Sequence, residues 1–206
     1  GYGKAIYHKT TSGKTIVYAH LDKFSPIMER VLKLQQAKNK KYSVSTNFSP
    51  NEFRLKQGDV IGSTGETGYA FGPNLHFEVR DESDAALDPL SNGYLTTDKV
   101  TPIMHKIALI PLSKGALINS SPLMQTLPLF RNKNGVYLFA DTVSVIGDFG
   151  LAIQAIDKRE GSKFKYQFHK AELYIDNKLM FSLNYNRIPY NQTNNVRTLV
   201  QFELKK

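Results

Sequence analysis

The chain has 206 residues, which suits one large or two small domains, and its 41% hydrophobic and 22% charged residues are ordinary for globular proteins. It has no cysteine, which excludes disulfides and thiolate metal sites, and no apolar run near the roughly 18 residues that span a membrane. Its formal net charge of +9 favours polyanions such as nucleic acid, anionic lipid or wall polymers. Because no RNA-binding or recognition-helix motif accompanies that charge, we expect no specific nucleic-acid binding.

The first segment predicts a β-hairpin. Residues 4–22 have the pattern of two strands around a turn at Thr11-Ser12-Gly13. Two rows alternate along the second strand, with Ile16, Tyr18 and His20 in one and Val17, Ala19 and Leu21 in the other. We expect the second row to face the core, which would leave His20 on the opposite face of the strand.

A helix is predicted to follow the hairpin and to interrupt a strand-rich domain. Ser25 is a typical N-cap and Pro26 suits the first helical position. The apolar residues Ile27, Val31 and Leu34 have helical spacing, and lysines cluster at the predicted C-terminal end, where they complement the helix dipole. Residues 43–62 then return to an extended pattern.

A glycine-rich loop precedes the segment with the strongest chemical signal. Five glycines lie between Gly58 and Gly72, and residues Asn74–Arg80 then alternate polar and apolar as a strand does. Asn74 and His76 share a face of that strand, and we expect His20 to border the same groove. Such a histidine suits a metal ligand or proton shuttle, although it also suits a structural hydrogen bond, and glycines also serve ordinary tight turns. The absence of Gly-Lys-Ser/Thr excludes a phosphate loop.

The pattern breaks between residues 91 and 102, and we predict two domains, 1–97 and 98–206. The predicted strands beyond the break are Ile107–Leu112, Val136–Phe139, Val143–Ile146, Leu151–Ile156, Lys165–Ile175, Leu179–Tyr185 and Thr198–Leu204. Asp176-Asn177 is a favourable two-residue hairpin turn. The fold class is therefore mostly β: an antiparallel β domain with a helical insertion, followed by a small immunoglobulin-like β-sandwich.

Two motifs and the glycine pattern carry a resemblance to a known family. They are Tyr18-Ala19-His20-Leu21, the glycine-rich run 62–68, and Gly72-Pro73-Asn74-Leu75-His76-Phe77-Glu78-Val79-Arg80. Over residues 1–90 the chain resembles the lysostaphin-type (LytM-like) zinc endopeptidases of the bacterial cell envelope. The resemblance implies an antiparallel β peptidase fold, a periplasmic or extracellular location, and Zn²⁺-dependent cleavage of peptidoglycan peptides. A β-sandwich after the peptidase domain also resembles some longer members.

The resemblance also implies roles for individual residues. His76 matches a zinc ligand, and His20 matches a histidine that stabilises the transition state or orients the attacking water. Asn74 stands where the family has a catalytic histidine, and an asparagine cannot take a proton near neutral pH. The two other family ligands lie in a His-x-x-x-Asp motif N-terminal to the Gly-Tyr-Gly stretch, so we do not expect that motif in a chain beginning Gly1-Tyr2-Gly3. In the family, zinc lowers the pKa of a bound water and polarises the scissile carbonyl.

Two functions remain open from the sequence. The first is an endopeptidase acting on peptidoglycan peptides, impaired by Asn74, and His20 and His76 favour it. The second is a non-catalytic relative that binds the wall or activates another wall hydrolase, and Asn74 favours it. The second domain has no paired titratable residues that indicate catalysis, so we expect it to bind or position the substrate.

Overall fold

The computed structural model describes residues 1–50, 52–94 and 98–200. This part of the chain is mostly β, with antiparallel sheets and one α-helix, which confirms the predicted fold class. It divides into two compact units: residues 1–93 with 187–190 form the first, and residues 94–186 with those after 190 form the second. No helix in the described ranges has the length and hydrophobicity needed to cross a membrane.

The first unit is built on a six-stranded antiparallel sheet. Its strands are β1 (Lys4–Lys9), β2 (Thr15–Phe24), β3 (Gly62–Thr64), β4 (His76–Arg80), β5 (Ala86–Leu87) and, after the second unit, β15 (Arg187–Ile188). The order across the sheet is β1-β2-β4-β5-β15, and β3 pairs with the end of β2. The hairpin predicted over residues 4–22 is confirmed, whereas the return of residues 187–188 to this sheet was not predicted.

The pairing of β2 with β4 determines which side chains share a face. Val17 lies opposite Glu78, and Ala19 lies opposite His76. Directly opposed residues of an antiparallel pair project to the same face, so Val17 and Ala19 share the face of the polar row of β4. Val17 and Ala19 are buried, as expected of the core-facing row, but they lie beside the polar row of β4 rather than its apolar row. The register between β2 and β4 determines which of their rows share a face, and the sequence pattern of either strand alone does not show it.

His20 reaches the polar face through a break in the alternation of β2. Regular alternation would place it with Tyr18, whose ring packs against Phe77 on the other face at 5.5 Å between centroids. The register between β1 and β2 shifts between Lys4 and Ile6, and His20 has a φ of +61°, in the left-handed region. A left-handed bulge residue re-aims its side chain, and the His20 ring consequently contacts His76.

The predicted helix is α1 (Pro26–Asn39), with Ser25 at its N-cap and Pro26 at its first position. The Ser25 side chain makes no capping bond. Instead the Glu29 carboxylate accepts the Phe24 backbone N–H at 3.0 Å and the Lys4 ammonium at 3.3 Å. The bond from Phe24, followed by that from Lys4, lowers the pKa of Glu29. Both bonds connect the first turn of α1 to the sheet.

The second unit has several small sheets among its described residues. Its strands are β6 (Ile103–Pro111), β7 (Leu117–Ile118), β8 (Gln125–Leu127), β9 (Leu129–Arg131), β10 (Tyr137–Phe139), β11 (Val145–Ile146), β12 (Phe149–Ile156), β13 (Lys170–Ile175) and β14 (Lys178–Asn184). One sheet has the order β12-β6-β8, and β9 with β10, β7 with β11, and β13 with β14 form pairs. Leu109, Ile118 and Leu127 form the buried core of the unit.

Several local predictions in the second unit can be compared with these strands. The turn at Asp176-Asn177 is confirmed, because both residues have a positive φ, +50° and +63°, as a two-residue hairpin turn requires. The strand predicted from Lys165 begins only at Lys170. The prediction of a strand over 198–204 is wrong at its start, which belongs to a 3-10 helix over Tyr190–Leu199, and its end lies outside the described residues. The immunoglobulin-like sandwich stays a prediction.

Candidate functional site

The rings of His20 and His76 lie side by side on the polar face of the first unit. Their centroids are 5.6 Å apart and their planes are nearly perpendicular, at 86°. His20 is buried, with 7% of its surface exposed, and its Nδ1 lies 2.8 Å from the backbone carbonyl oxygen of Thr67. That oxygen can only accept, so Nδ1 of His20 carries the hydrogen. The glycine-rich loop therefore fixes one of the two predicted site histidines.

The loop needs glycine where it passes close to neighbouring backbone. A Cβ at Gly65 would lie 2.5 Å from the backbone nitrogen of Asp22. Gly68 has a φ of +78°, and a Cβ there would lie 2.4 Å from the carbonyl oxygen of Gly1. The Thr67 hydroxyl between them donates to the Leu21 carbonyl at 2.8 Å. The glycines thus serve the close approach that brings the Thr67 carbonyl to His20.

Asn74 lies before β4, in a bridge with Gly65, rather than at the predicted start of the strand. Its backbone N–H donates to the Gly65 carbonyl at 2.9 Å. Its side-chain amide donates to the Gly72 carbonyl at 2.8 Å and is exposed. Both bonds join Asn74 to the glycine-rich loop, so this side chain closes the end of the loop. A catalytic role for Asn74 stays a prediction.

Glu78 is the centre of a hydrogen-bond network that was not predicted from the sequence. Four side chains donate to its carboxylate: Tyr2 at 2.7 Å and His76 through Nε2 to Oε1, and Arg80 at 2.6 Å and Tyr190 at 2.5 Å to Oε2. Burial alone would raise the pKa of Glu78. The four hydrogen bonds outweigh burial and hold the pKa at about 2, and the bond from Arg80 contributes most to this lowering. The carboxylate is therefore ionised at neutral pH and accepts from all four partners.

Arg80 balances the charge of Glu78. It is 7% exposed, and its guanidinium also donates to Asp84 at 3.0 Å and to the Tyr2 hydroxyl at 3.1 Å. Burial would lower the pKa of Arg80, but the bonds to Glu78 and Asp84 raise it above the ordinary value. Burial and the bond to Glu78 raise the pKa of Tyr190, whose ring lies 4.8 Å from the guanidinium carbon of Arg80. The network thus consists of the Glu78–Arg80 ion pair and the neutral hydroxyl groups of Tyr2 and Tyr190 that donate to Glu78.

The sequence contained a signal for only part of this network. The alternation that placed His76 on the polar face placed Glu78 and Arg80 there too, so both could have been identified. Tyr2 and Tyr190 lie 76 and 112 residues from Glu78, and no local pattern relates them to it.

The donor set does not match a catalytic zinc site. Such a site takes three protein ligands. Within the described part of the chain, no three His, Cys, Asp or Glu side chains converge on one point. Nε2 of His76 is bonded to Glu78 and Nδ1 of His20 is bonded to Thr67. The ligand role of His76 therefore stays a prediction.

Comparison with characterised proteins gives a partial similarity. The chain is 31% identical over 80 residues to the DD-carboxypeptidase/endopeptidase Mpg of Neisseria meningitidis, and equally to the protein of that name from Neisseria gonorrhoeae. The aligned part is 39% of this chain and only 13% of those relatives' length. No family model matches the chain, and no solved structure matches it. The chain thus has a peptidase-like relationship over part of its length.

Proposed function

We propose that this protein acts in the bacterial cell envelope, periplasmic or extracellular, as a lysostaphin-type endopeptidase on the peptides of peptidoglycan. The observation that carries the proposal is the contact between the rings of His20 and His76 beside the glycine-rich loop. The similarity to proteins named for carboxypeptidase and endopeptidase activity supports it. Zinc-dependent cleavage would require further metal ligands, because the described residues do not supply the three that a catalytic zinc takes.

The hydrogen bond of His20 limits what that residue can do in this proposal. Since Nδ1 donates to the Thr67 carbonyl, a neutral His20 presents Nε2 as an acceptor. In that form it orients a water molecule. As an imidazolium it donates from Nε2 instead and stabilises a developing oxyanion. His20 therefore offers Nε2 to the substrate, while His76 keeps its Nε2 bonded to Glu78.

The second candidate is a non-catalytic envelope protein that binds wall peptides or activates another wall hydrolase. The bond from the Asn74 side chain to the Gly72 carbonyl favours it. An asparagine engaged in closing the loop relays no proton, and general acid–base help is worth about 10²–10⁴-fold in rate. The same groove would then hold a peptide without cleaving it.

Digestion and binding of purified peptidoglycan sacculi separate the two functions. The full-length protein at saturating zinc should release peptides with new amino termini, detected by mass spectrometry, and His76→Ala should abolish the release. His8→Ala is the matched control, because His8 is exposed on β1 of the same unit. Binding without release supports the non-catalytic function. A protein that shows no binding and no release contradicts both the endopeptidase and the wall-binding function, and leaves activation of another hydrolase.

Substitution of Asn74 tests whether the missing histidine limits the reaction. In the enzyme, Asn74→His should raise the rate of release by roughly 10²-fold, because it restores a proton-relaying side chain. Asn74→Ala removes the bond to Gly72 without adding that group and controls for changes in the loop. A wild type as fast as Asn74→His at matched zinc occupancy would show that Asn74 does not impair catalysis.

A further inference from the structure

We propose that Glu78 is a positioning residue that fixes the ring orientation and tautomer of His76. We further propose that Tyr190, which returns to the first unit after the second, completes the donors that hold Glu78. The relevance to peptide cleavage rests on the proposed function, whereas the structural role does not.

The hydrogen bonds of Glu78 occupy its whole accepting capacity. A carboxylate offers about four lone-pair sites. Oε1 accepts from Tyr2 and His76, and Oε2 accepts from Arg80 and Tyr190. A substrate group or a proton could bind Glu78 only by displacing one of these donors. Glu78 therefore acts on the groove through His76 rather than by direct contact.

The bond to Glu78 determines the state of the His76 ring. An ionised carboxylate only accepts, so Nε2 of His76 carries a hydrogen, and Nδ1 is the nitrogen left for any other partner. The ring also lies between two aromatic neighbours. The Tyr2 ring is 5.1 Å away between centroids, and the His20 ring is 5.6 Å away. Rotation of the ring about its Cβ–Cγ bond would break the bond to Glu78.

Tyr190 reaches Glu78 because the chain adds a strand to the first unit after leaving the second. In β15, Arg187 and Ile188 pair with Leu87 and Ala86 of β5. Arg187 also donates to the Asp81 carboxylate at 2.6 Å and to the Ser83 hydroxyl at 2.7 Å. These contacts anchor the segment that places the Tyr190 hydroxyl on Oε2 of Glu78. The polar face of the first unit thus includes a residue from a distant part of the sequence.

The tautomer of His76 tests the proposal without any turnover. Long-range ¹H–¹⁵N spectra of the full chain, recorded above about pH 8 where a free imidazole is neutral, report which ring nitrogen carries the proton. The wild type should show the hydrogen of His76 on Nε2. The chain has five histidines, and His76→Gln identifies the relevant signals.

Glu78→Gln should move the proton of His76 to Nδ1. The amide oxygen of the glutamine would face Arg80, because a guanidinium has no acceptor. The amide NH₂ would then face His76, whose Nε2 would have to accept, so the two ¹⁵N shifts should exchange. Tyr190→Phe removes one hydroxyl donor and keeps the ring, and because it loosens the hold on Glu78 it should change the two shifts by less than Glu78→Gln does. Tyr174→Phe is the matched control, because Tyr174 donates to Glu172 in the second unit.

The outcomes decide each part of the proposal separately. A hydrogen on Nδ1 in the wild type, or unchanged shifts in Glu78→Gln, would overturn the role of Glu78. A Tyr190→Phe spectrum no different from that of Tyr174→Phe would overturn the role of Tyr190. If Glu78→Gln does not fold, Tyr2→Phe takes its place, because it removes one donor from Oε1, the oxygen that accepts from His76. Unchanged His76 shifts in that variant would overturn the role of Glu78. Failure to cleave peptidoglycan would contradict the proposed function and leave these results unaffected.

Discussion

Two strands of this protein carry nearly the same pattern and form very different surfaces. In β4, His76, Glu78 and Arg80 alternate with apolar residues, and in β13, Lys170, Glu172 and Tyr174 do the same. Each strand therefore has a glutamate in the centre of a polar row, with a hydrogen-bond donor two residues away on either side. From local sequence alone, the two rows are equally good candidates for a site.

The difference comes from partners that are distant in the sequence. Glu172 is bonded to Lys170 at 2.6 Å and Tyr174 at 3.3 Å, both on its own strand, and 29% of its side chain is exposed. Glu78 has partners on its own strand too, but it adds the hydroxyls of Tyr2 and Tyr190, and only 10% of its side chain is exposed. Local pairing thus produces an ordinary surface ion pair, whereas distant donors produce a buried network.

Neutralising the two glutamates should give the largest contrast. Glu78→Gln should lower the free energy of unfolding by about 2 kcal/mol, because it leaves the buried Arg80 with a weaker partner. Glu172→Gln should change it by less than about 0.5 kcal/mol, since exposed ion pairs contribute little. Urea unfolding followed by circular dichroism measures both. Equal losses in the two variants would show that the distant donors add no stability.

Much of the fold was predictable because its signals are local. The hairpin around residues 10–14, the start of α1 at Pro26, and the turn at Asp176-Asn177 each follow from residues adjacent in sequence. The alternation of β4 likewise placed His76 and Glu78 on one face. These elements depend on backbone preferences and on period two, which the sequence displays directly.

The remaining parts of the site depend on pairing that no single segment encodes. His20 reaches the polar face through a bulge, which the register against β1 requires and the motif around His20 does not show. β15 has only two residues, Arg187 and Ile188, too short for any alternation to be recognised. Tyr190 follows it and so could not be related to Glu78 before the sheet was known.

Removing single tyrosine hydroxyls should sharpen the contrast between local and distant donors. Tyr190→Phe should cost about 1 kcal/mol of unfolding free energy, because it deletes a hydrogen bond to a charged, largely buried carboxylate. Tyr174→Phe deletes a 3.3 Å bond to an exposed carboxylate and should cost almost nothing. Thermal unfolding of both variants beside the wild type measures the difference. A similar cost for both would mean that burial of the acceptor does not matter here.

Asp81 offers an intermediate case, a partly exposed carboxylate with a distant donor, and it should give the smallest measurable effect. The hydrogen bond from Arg187, with those from Ser83 and the Ala85 backbone, lowers the pKa of Asp81 below its ordinary value near 3.8. A pKa that is lower in the folded state contributes stability that is present above the ordinary pKa and is lost as the pH falls below it. Asp81→Asn cannot titrate, so the stability difference between wild type and variant should shrink between about pH 5 and pH 2.5. Midpoints of thermal unfolding across that range test this prediction. Glu78 titrates in both proteins, so its contribution cancels in the comparison.

Glu172→Gln is the control and should show a weaker convergence, because its donor Lys170 is local and both groups are exposed. Parallel curves for Asp81→Asn and wild type would show that the pKa of Asp81 is the same in folded and unfolded chains, and the anchoring of β15 would then rest on its pairing with β5 and on the bond from Arg187 to Ser83.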